Sequence, residues 1–316
     1  VLAAAIGASG AHPARAAGTY PDRAVRLIVP FSTGGATDIM ARRLAQHFTE
    51  DLKQPLVIEN RGGAGGIIGT QLAAQAPADG YTLLFASSAQ LAINPSLYKH
   101  VPYDPVRSFA PVMLVGATPN VLLATPASGI DSLATLIARA KAHPGEISFA
   151  SPGIGSTADL AAQLLQQRTG ISLINVPYKG GGAVMMDALG GQMSVILVAI
   201  PSISGYAQSG KLKALAVTSA HRSPILPNVP TISETLPGFE AVGWYGILAP
   251  AGTPPDIIAK LHAELAAAVE APDVRRAFAA QGIEPLGGSA QYFGEYIRSE
   301  GVKWAKVIKA SGARAN

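Results

Sequence analysis

Cysteine is absent from the 316 residues, so the chain has no disulfide framework, no thiolate metal site and no cysteine nucleophile. Charge is sparse. Charged residues make up 14% and hydrophobic residues 48%, a balance opposite to that of disordered chains. The net charge is +4, and the basic residues stand singly, without the cluster or stripe that nucleic acid or an anionic membrane surface requires. Beyond the N-terminal residues no apolar run approaches the roughly 20 residues of a membrane span. The histidines, at 12, 47, 100, 143, 221 and 262, form no metal-ligating pair, and no serine sits in a G-x-S-x-G elbow. Neither a metal nor a cofactor is called for, and nucleic acid is not a partner.

Glycine and proline are plentiful, at 34 and 24 residues, which predicts many sharp turns and loops through which backbone can approach a ligand. A chain of this length is long enough for two lobes or one large α/β domain. At the N-terminus, Val1 to Ala8 is small and apolar and Ala14-Arg15-Ala16 is a small-x-small pattern. Residues 1–17 therefore read as the remnant of a secretory signal peptide, with the mature chain starting near Ala17; a flexible alanine-rich tail is the alternative.

From Tyr20 onward, strand-length apolar runs alternate with segments of helical period, the pattern of βαβ units around mainly parallel sheets. Strands are predicted at Val25 to Phe31, Leu56 to Ile58, Tyr81 to Ala86, Val121 to Ala124, Ile147 to Ala150, Ile174 to Val176, Val195 to Ala199, Leu212 to Thr218 and Trp244 to Ala249. Helices are predicted at Asp38 to Phe48, Ile67 to Ala76, Ser132 to Ala142, Thr157 to Thr169, Pro254 to Ala268, Asp273 to Gln281 and Ala290 to Ile308. The rhythm suggests one lobe from 20–119 plus 230–316 and a second from 120–229. Crossings near Thr118 to Val121 and between Ser219 and Thr231 would make a two-pass hinge. Ligands of such sheets lie at the carboxyl ends of the strands, in the crevice between lobes.

Two loops suit that crevice. Phe31, Ser32, Gly34, Gly35, Thr37 and Asp38 follow the first strand, and Gly153, Gly155, Ser156 and Thr157 follow the Ile147 strand. Each combines glycines, hydroxyls and a helix N-terminus, the elements of an anion cradle. Each also reads as an ordinary βα turn with Thr37 or Ser156 as N-cap. Ser87 and Ser88 close the Tyr81 strand in the equivalent place. A third glycine loop, Asn60 to Gly66, fails the dinucleotide fingerprint because Ile68 stands where its last glycine belongs, and Gly205 to Lys211 fails the phosphate-loop pattern at Leu212.

The chain resembles the periplasmic solute receptors of tripartite tricarboxylate transporters, the Bug receptors. The matching segments are Tyr20-Pro21-Asp22, Pro30-Phe31 with Gly34-Gly35 and Asp38, and Glu59-Asn60-Arg61 with Gly63-Ala64-Gly65-Gly66. They continue through Asp79-Gly80-Tyr81-Thr82-Leu83, Val176-Pro177-Tyr178-Lys179-Gly180, Gly190-Gly191-Gln192, Arg222-Ser223-Pro224, Pro230-Thr231 and Ala249-Pro250-Ala251-Gly252-Thr253-Pro254. The resemblance implies a type II periplasmic-binding-protein fold and no catalysis. It also implies capture of a small organic carboxylate for delivery to membrane subunits, by a receptor expected to be a monomer. Tyr178 and Lys179 join the candidate ligand residues, Lys179 as the nearby cation. Relatives often carry an acid where Val198 stands here, and usually a histidine where Asp159 stands. If Val198 and Ala199 face the cleft, the middle of the ligand meets apolar surface, which favours a di- or aromatic carboxylate over an amino acid. Strand alternation leaves the direction of Val198 open, and that of Asp159 is open too. A cleft hydrolase or isomerase, and a sensor, are the alternatives.

Overall fold

Runs of Val, Ile and Leu without polar alternation become strands covered on both faces, as sheets flanked by helices require. The computed structural model describes residues 20–31, 33, 36–178, 181–203 and 211–315; the signal-peptide remnant expected over 1–17 lies outside them. The chain opens with β1 (Val25–Val29), α1 (Ala36–Leu52), β2 (Leu56–Asn60), α2 (Ile67–Ala74) and β3 (Thr82–Ser87), then a π-turn segment, Ala89–Ile93, that leads into α3 (Asn94–Leu97) and β4 (Phe109–Thr118). A second sheet follows with β5 (Asn120–Ala124), α4 (Leu133–Ala142), β6 (Ser148–Ser151), α5 (Thr157–Thr169), β7 (Ile174–Pro177), α6 (Gly181–Leu189), β8 (Val195–Ala199) and β9 (Lys213–Val217). The chain then returns through β10 (Gly243–Pro250), α7 (Pro255–Glu270), α8 (Pro272–Ala280), β11 (Glu284–Pro285) and α9 (Ala290–Ser311).

The strand orders are β11-β4-β10-β3-β1-β2 and β7-β6-β8-β5-β9. The two-lobed α/β plan holds, but the sheets are mixed rather than mainly parallel. In the first, β1, β2 and β3 run parallel while β10 is antiparallel to both β3 and β4. In the second, β6, β7 and β8 run parallel while β5 is antiparallel to β8 and β9. The physical reason is the crossing itself: β5 and β10 enter their sheets from the other lobe, not through a crossover helix. β4 is not legible in the sequence because Pro111 and Gly116 interrupt it; Pro111 is tolerated beside a register shift opposite Ile247 and Leu248.

The passes between sheets are stitched around Asn120, 1% exposed. Its backbone N–H donates to Thr218 Oγ1 at 2.9 Å and its carbonyl accepts from the Thr218 N–H at 2.9 Å. Its side-chain amide donates to the Ala241 carbonyl at 3.2 Å, and the Ala241 N–H donates to the Thr218 carbonyl at 3.0 Å. The connection after β9 stays against the second sheet through a bridge of Val217 to Thr231 and reaches the first sheet only at Gly243.

α9 ties both lobes from behind. Phe293 packs on β10 where Gly246 offers no side chain; a Cβ there would lie 2.1 Å from Phe293 Cζ. Further along, the Gln167 amide of α5 donates to the Val307 carbonyl at 3.1 Å. Between these points Glu300, 5% exposed, accepts from the indole N–H groups of Trp244 (3.0 Å) and Trp304 (2.9 Å) on one oxygen and pairs with Lys303 through the other. Both indoles are fully buried. Removing the acceptor strands two donors away from water, so Glu300→Ala is expected to destabilise the fold by about 3 kcal/mol. Urea unfolding of the variant checks this; a loss below about 0.5 kcal/mol would mean the donors find other partners.

Candidate functional site

Because β1, β2 and β3 are parallel, their carboxyl ends fall on one edge of the first sheet, and those of β6, β7 and β8 fall on one edge of the second. A cavity of about 350 Å³ lies where these edges meet. The first lobe contributes Phe31, the glycine loop Gly62 to Gly66, Gln90, Asn94 and Tyr98; the second contributes Ile154, Gly155 and Ser156. A larger groove, about 980 Å³, lies on the far side of Leu97 and Tyr98 among Lys99, His100, Lys309 and Arg314. Among the described residues no βα loop lines it, so the smaller cavity is the candidate site.

The glycine loop after β2 is held in an unusual backbone state. Gly63, Ala64, Gly65 and Gly66 all have positive φ, of 115°, 47°, 64° and 87°, which the three glycines adopt without steric cost and Ala64 does not. The Gly65 carbonyl accepts from Gln90 Nε2 at 2.8 Å and Asn94 Nδ2 at 3.0 Å. Gln90, fully buried, is fixed in turn by the Ser87 N–H and hydroxyl, which donate to its Oε1 at 3.0 and 2.9 Å. A Cβ on Gly66 would lie 2.2 Å from Gln90 Nε2. The loop is thus clamped to the segment after β3, which presents Asn94 and Tyr98 to the same cavity.

At the start of α1, Asp38 (2% exposed) accepts from Arg42 Nε at 3.0 Å and Asn60 Nδ2 at 3.0 Å, and Asn60 Nδ2 also donates to the Phe31 carbonyl at 3.2 Å. Asp38 therefore joins the first loop to the end of β2 and does not line the cavity. Across the cleft, Ser156 caps α5 by accepting the Asp159 N–H at 3.1 Å. Asp159, 1% exposed, accepts from the Gly155 N–H at 2.8 Å and Asn175 Nδ2 at 2.8 Å. Burial raises its carboxyl above the ordinary range, against the lowering effect of bonds from Gly155, Gln163 and Asn175.

Of the ligand residues expected from sequence, Phe31, Gly155 and Ser156 line the cavity. Ser32, Gly34, Gly35 and Lys179 lie outside the described residues. Ser87 is committed to Gln90, and Ser88 is 1% exposed beside it. Gly153 and Thr157 flank the lining segment without joining the lining. The Tyr178 hydroxyl turns away to donate to Asp187 Oδ2 at 2.7 Å. Val198 does not face the cleft: it is fully buried with Val184 and Met185, while its neighbour Leu197 enters the core on the opposite face. That strand is apolar because both of its faces are covered. Ala199 pairs with Asn120 at the crossing. Sequence reasoning missed Gln90, Asn94, Leu97, Tyr98 and the loop Gly62 to Gly66. The loop does share the strand–glycine–helix order of the other two.

Among the described residues no cluster of histidines and carboxylates could hold a metal, and no helix is long and apolar enough to cross a membrane. A family model for the tripartite tricarboxylate transporter family receptor (TctC) matches residues 40–313. The chain belongs to this receptor family. It is similar to BugT of Bordetella pertussis, 42% identical over 316 residues that span 99% of this chain and 97% of BugT. Among solved structures it is similar to R. palustris Rpa4515 with adipate, with a TM-score of 0.79 and 35% identity, covering 93% of this chain and 99% of that one. It is also similar to MatC (Rpa3494) from Rhodopseudomonas palustris with bound malate, with a TM-score of 0.75 and 30% identity, covering 92% and 100%. The fold is accordingly that of the type II periplasmic binding proteins, and the chain is a receptor of a transporter family, not an enzyme.

The two lobes meet at Gly155, where a Cβ would lie 2.3 Å from Leu97 Cδ2. The φ of Gly155 is +76°, so a β-branched residue there costs about 1–2 kcal/mol of stability in addition to the clash. Gly155→Val is expected to remain folded by circular dichroism and to weaken capture of cleft ligands at least about tenfold by calorimetry. Unchanged affinity would show that the lobes do not meet at this point in the bound state.

Proposed function

We propose that this chain is a monomeric periplasmic receptor that captures a small organic carboxylate, of the di- or aromatic class, between its lobes and hands it to the membrane subunits of a tripartite transporter. The observation that carries this reading is the lining of the interlobe cavity. Among the described residues it has no acidic side chain; its polar groups are backbone of glycine loops, the amides of Gln90 and Asn94, and the hydroxyls of Tyr98 and Ser156. Such groups suit an anion, since hydrogen bonds to a charged partner contribute about 1.5–3 kcal/mol each. Three or four would support micromolar capture, about −8 kcal/mol, after association costs. Phe31, Leu97 and Ile154 supply apolar wall for an aliphatic or aromatic body; with Val198 inside the core, the preference for such a body rests on these residues. The adipate and malate in the related structures agree with the class.

A thermal-shift and calorimetric screen of adipate, malate, benzoate and terephthalate tests the reading. A true ligand at 100 times its Kd should stabilise the protein by about 2.7 kcal/mol. It should also reduce the radius of gyration as the lobes rotate about the Asn120 crossing. Stabilisation by sugars or amines with no response to any carboxylate would contradict it.

A further inference from the structure

The helices that follow the two candidate βα loops, α1 and α5, begin alike but differ in charge. Each helix carries an aspartate in its first turn, Asp38 in α1 and Asp159 in α5, and both are at least 98% buried, with 2% and 1% exposure. Asp38 has a cation against it, the Arg42 guanidinium at 3.0 Å. Among the described residues no ion pair joins Asp159; its oxygens accept from neutral amides, the Gly155 N–H and Asn175 Nδ2, both at 2.8 Å, with the neutral Gln163 side chain also bonding to it. Burial raises this carboxyl, and the N–H bonds to both of its oxygens work against that in favour of the ionised form.

Gly155 and Ser156 line the cavity, and Asp159 lies directly behind them. An anion bound at the head of α5 would seek the free N–H groups of that loop. The Asp159 carboxylate already holds the Gly155 N–H, and the Asp159 N–H is spent on Ser156 Oγ. A ligand carboxylate at this end would meet fewer donors and a buried, uncompensated like charge a few ångströms away, where low dielectric keeps repulsion strong. Resting on the carboxylate-receptor reading above, we propose that Asp159 selects against a second carboxylate at the second-lobe end of the cleft. The preferred ligand then carries one carboxylate, held by the first-lobe loops, and an uncharged end against Gly155 and Ser156. Of the two classes left open, the aromatic or otherwise singly charged acid is the one this chain favours.

Two isosteric pairs isolate charge from shape: adipate against adipamate, and terephthalate against 4-carbamoylbenzoate, each measured by calorimetry at pH 7.5 in wild type and Asp159→Asn. The variant keeps the loop bonded, because an asparagine oxygen still accepts the Gly155 N–H. Its NH₂ can donate to Asn175 Oδ1, which has no partner now, once the Asn175 amide turns. Wild type is expected to bind each amide acid at least about tenfold more tightly than its diacid, and the variant to bring the ratio within about threefold. A purely structural role for Asp159 would change both members of a pair alike. Should the variant fail to fold, the wild-type ratio alone decides. Equal or tighter binding of the diacids by wild type, or a ratio unchanged in the variant, overturns the selectivity while leaving the receptor reading intact. Absence of binding for all four acids by wild type would instead overturn the receptor reading, and the selectivity with it.

Discussion

Everything that makes a cleft in this protein depends on one knot of hydrogen bonds, where Asn120 meets Thr218 and Ala241. A buried asparagine with its backbone and side chain all engaged fixes where the chain leaves one sheet and where it comes back. Because β5 and β10 are delivered through that point, each enters its sheet antiparallel, and the three parallel strands of each sheet are left with their carboxyl ends toward the other lobe. The loops that follow those ends are the ones that line the cavity. Behind the knot, α9 lies across both lobes, secured by the Glu300 carboxylate between two buried indoles and by the Gln167 amide on the Val307 carbonyl.

The site is built from backbone more than from side chains. Successive left-handed residues from Gly63 to Gly66 expose main chain to the cavity, and the buried amides of Gln90 and Asn94 hold that main chain in place through the Gly65 carbonyl. Such a cradle needs no cation in the first contact, which is consistent with a lining in which the described residues carry no charge. Charge enters from one layer behind. At Asp38 it is cancelled by Arg42, and at Asp159 it is not. The cleft is therefore polarised end to end, a property invisible in its lining.

Much of the fold was legible because its punctuation is strong. α5 falls where Ser156 and Gly170 bracket it, and β8 falls on an unbroken apolar run. β4 was hidden by Pro111 and Gly116, which a strand tolerates only beside the irregular pairing that β10 supplies. α6 was hidden by its Gly-Gly opening. For the site, glycine loops beside helix starts pointed to Phe31, Gly155 and Ser156, which line the interlobe cavity. The loop after β2 has the same form, but a nucleotide fingerprint was the wrong test for it. Gln90 and Asn94 were beyond reach, since their role arises from contacts 25 and 29 residues away in sequence. Val198 shows the limit of strand alternation: where helices cover both faces, period two does not say which face meets the ligand.

The account stands on a carboxylate bound between the lobes, and native mass spectrometry of the purified protein, followed by release and accurate-mass analysis of whatever leaves it, examines that claim without presupposing a ligand. One equivalent of a small organic acid, lost on acid denaturation and absent from Gly155→Val, is the predicted result. A stoichiometric bound molecule without a carboxyl group, or the same acid retained equally by Gly155→Val, would contradict it.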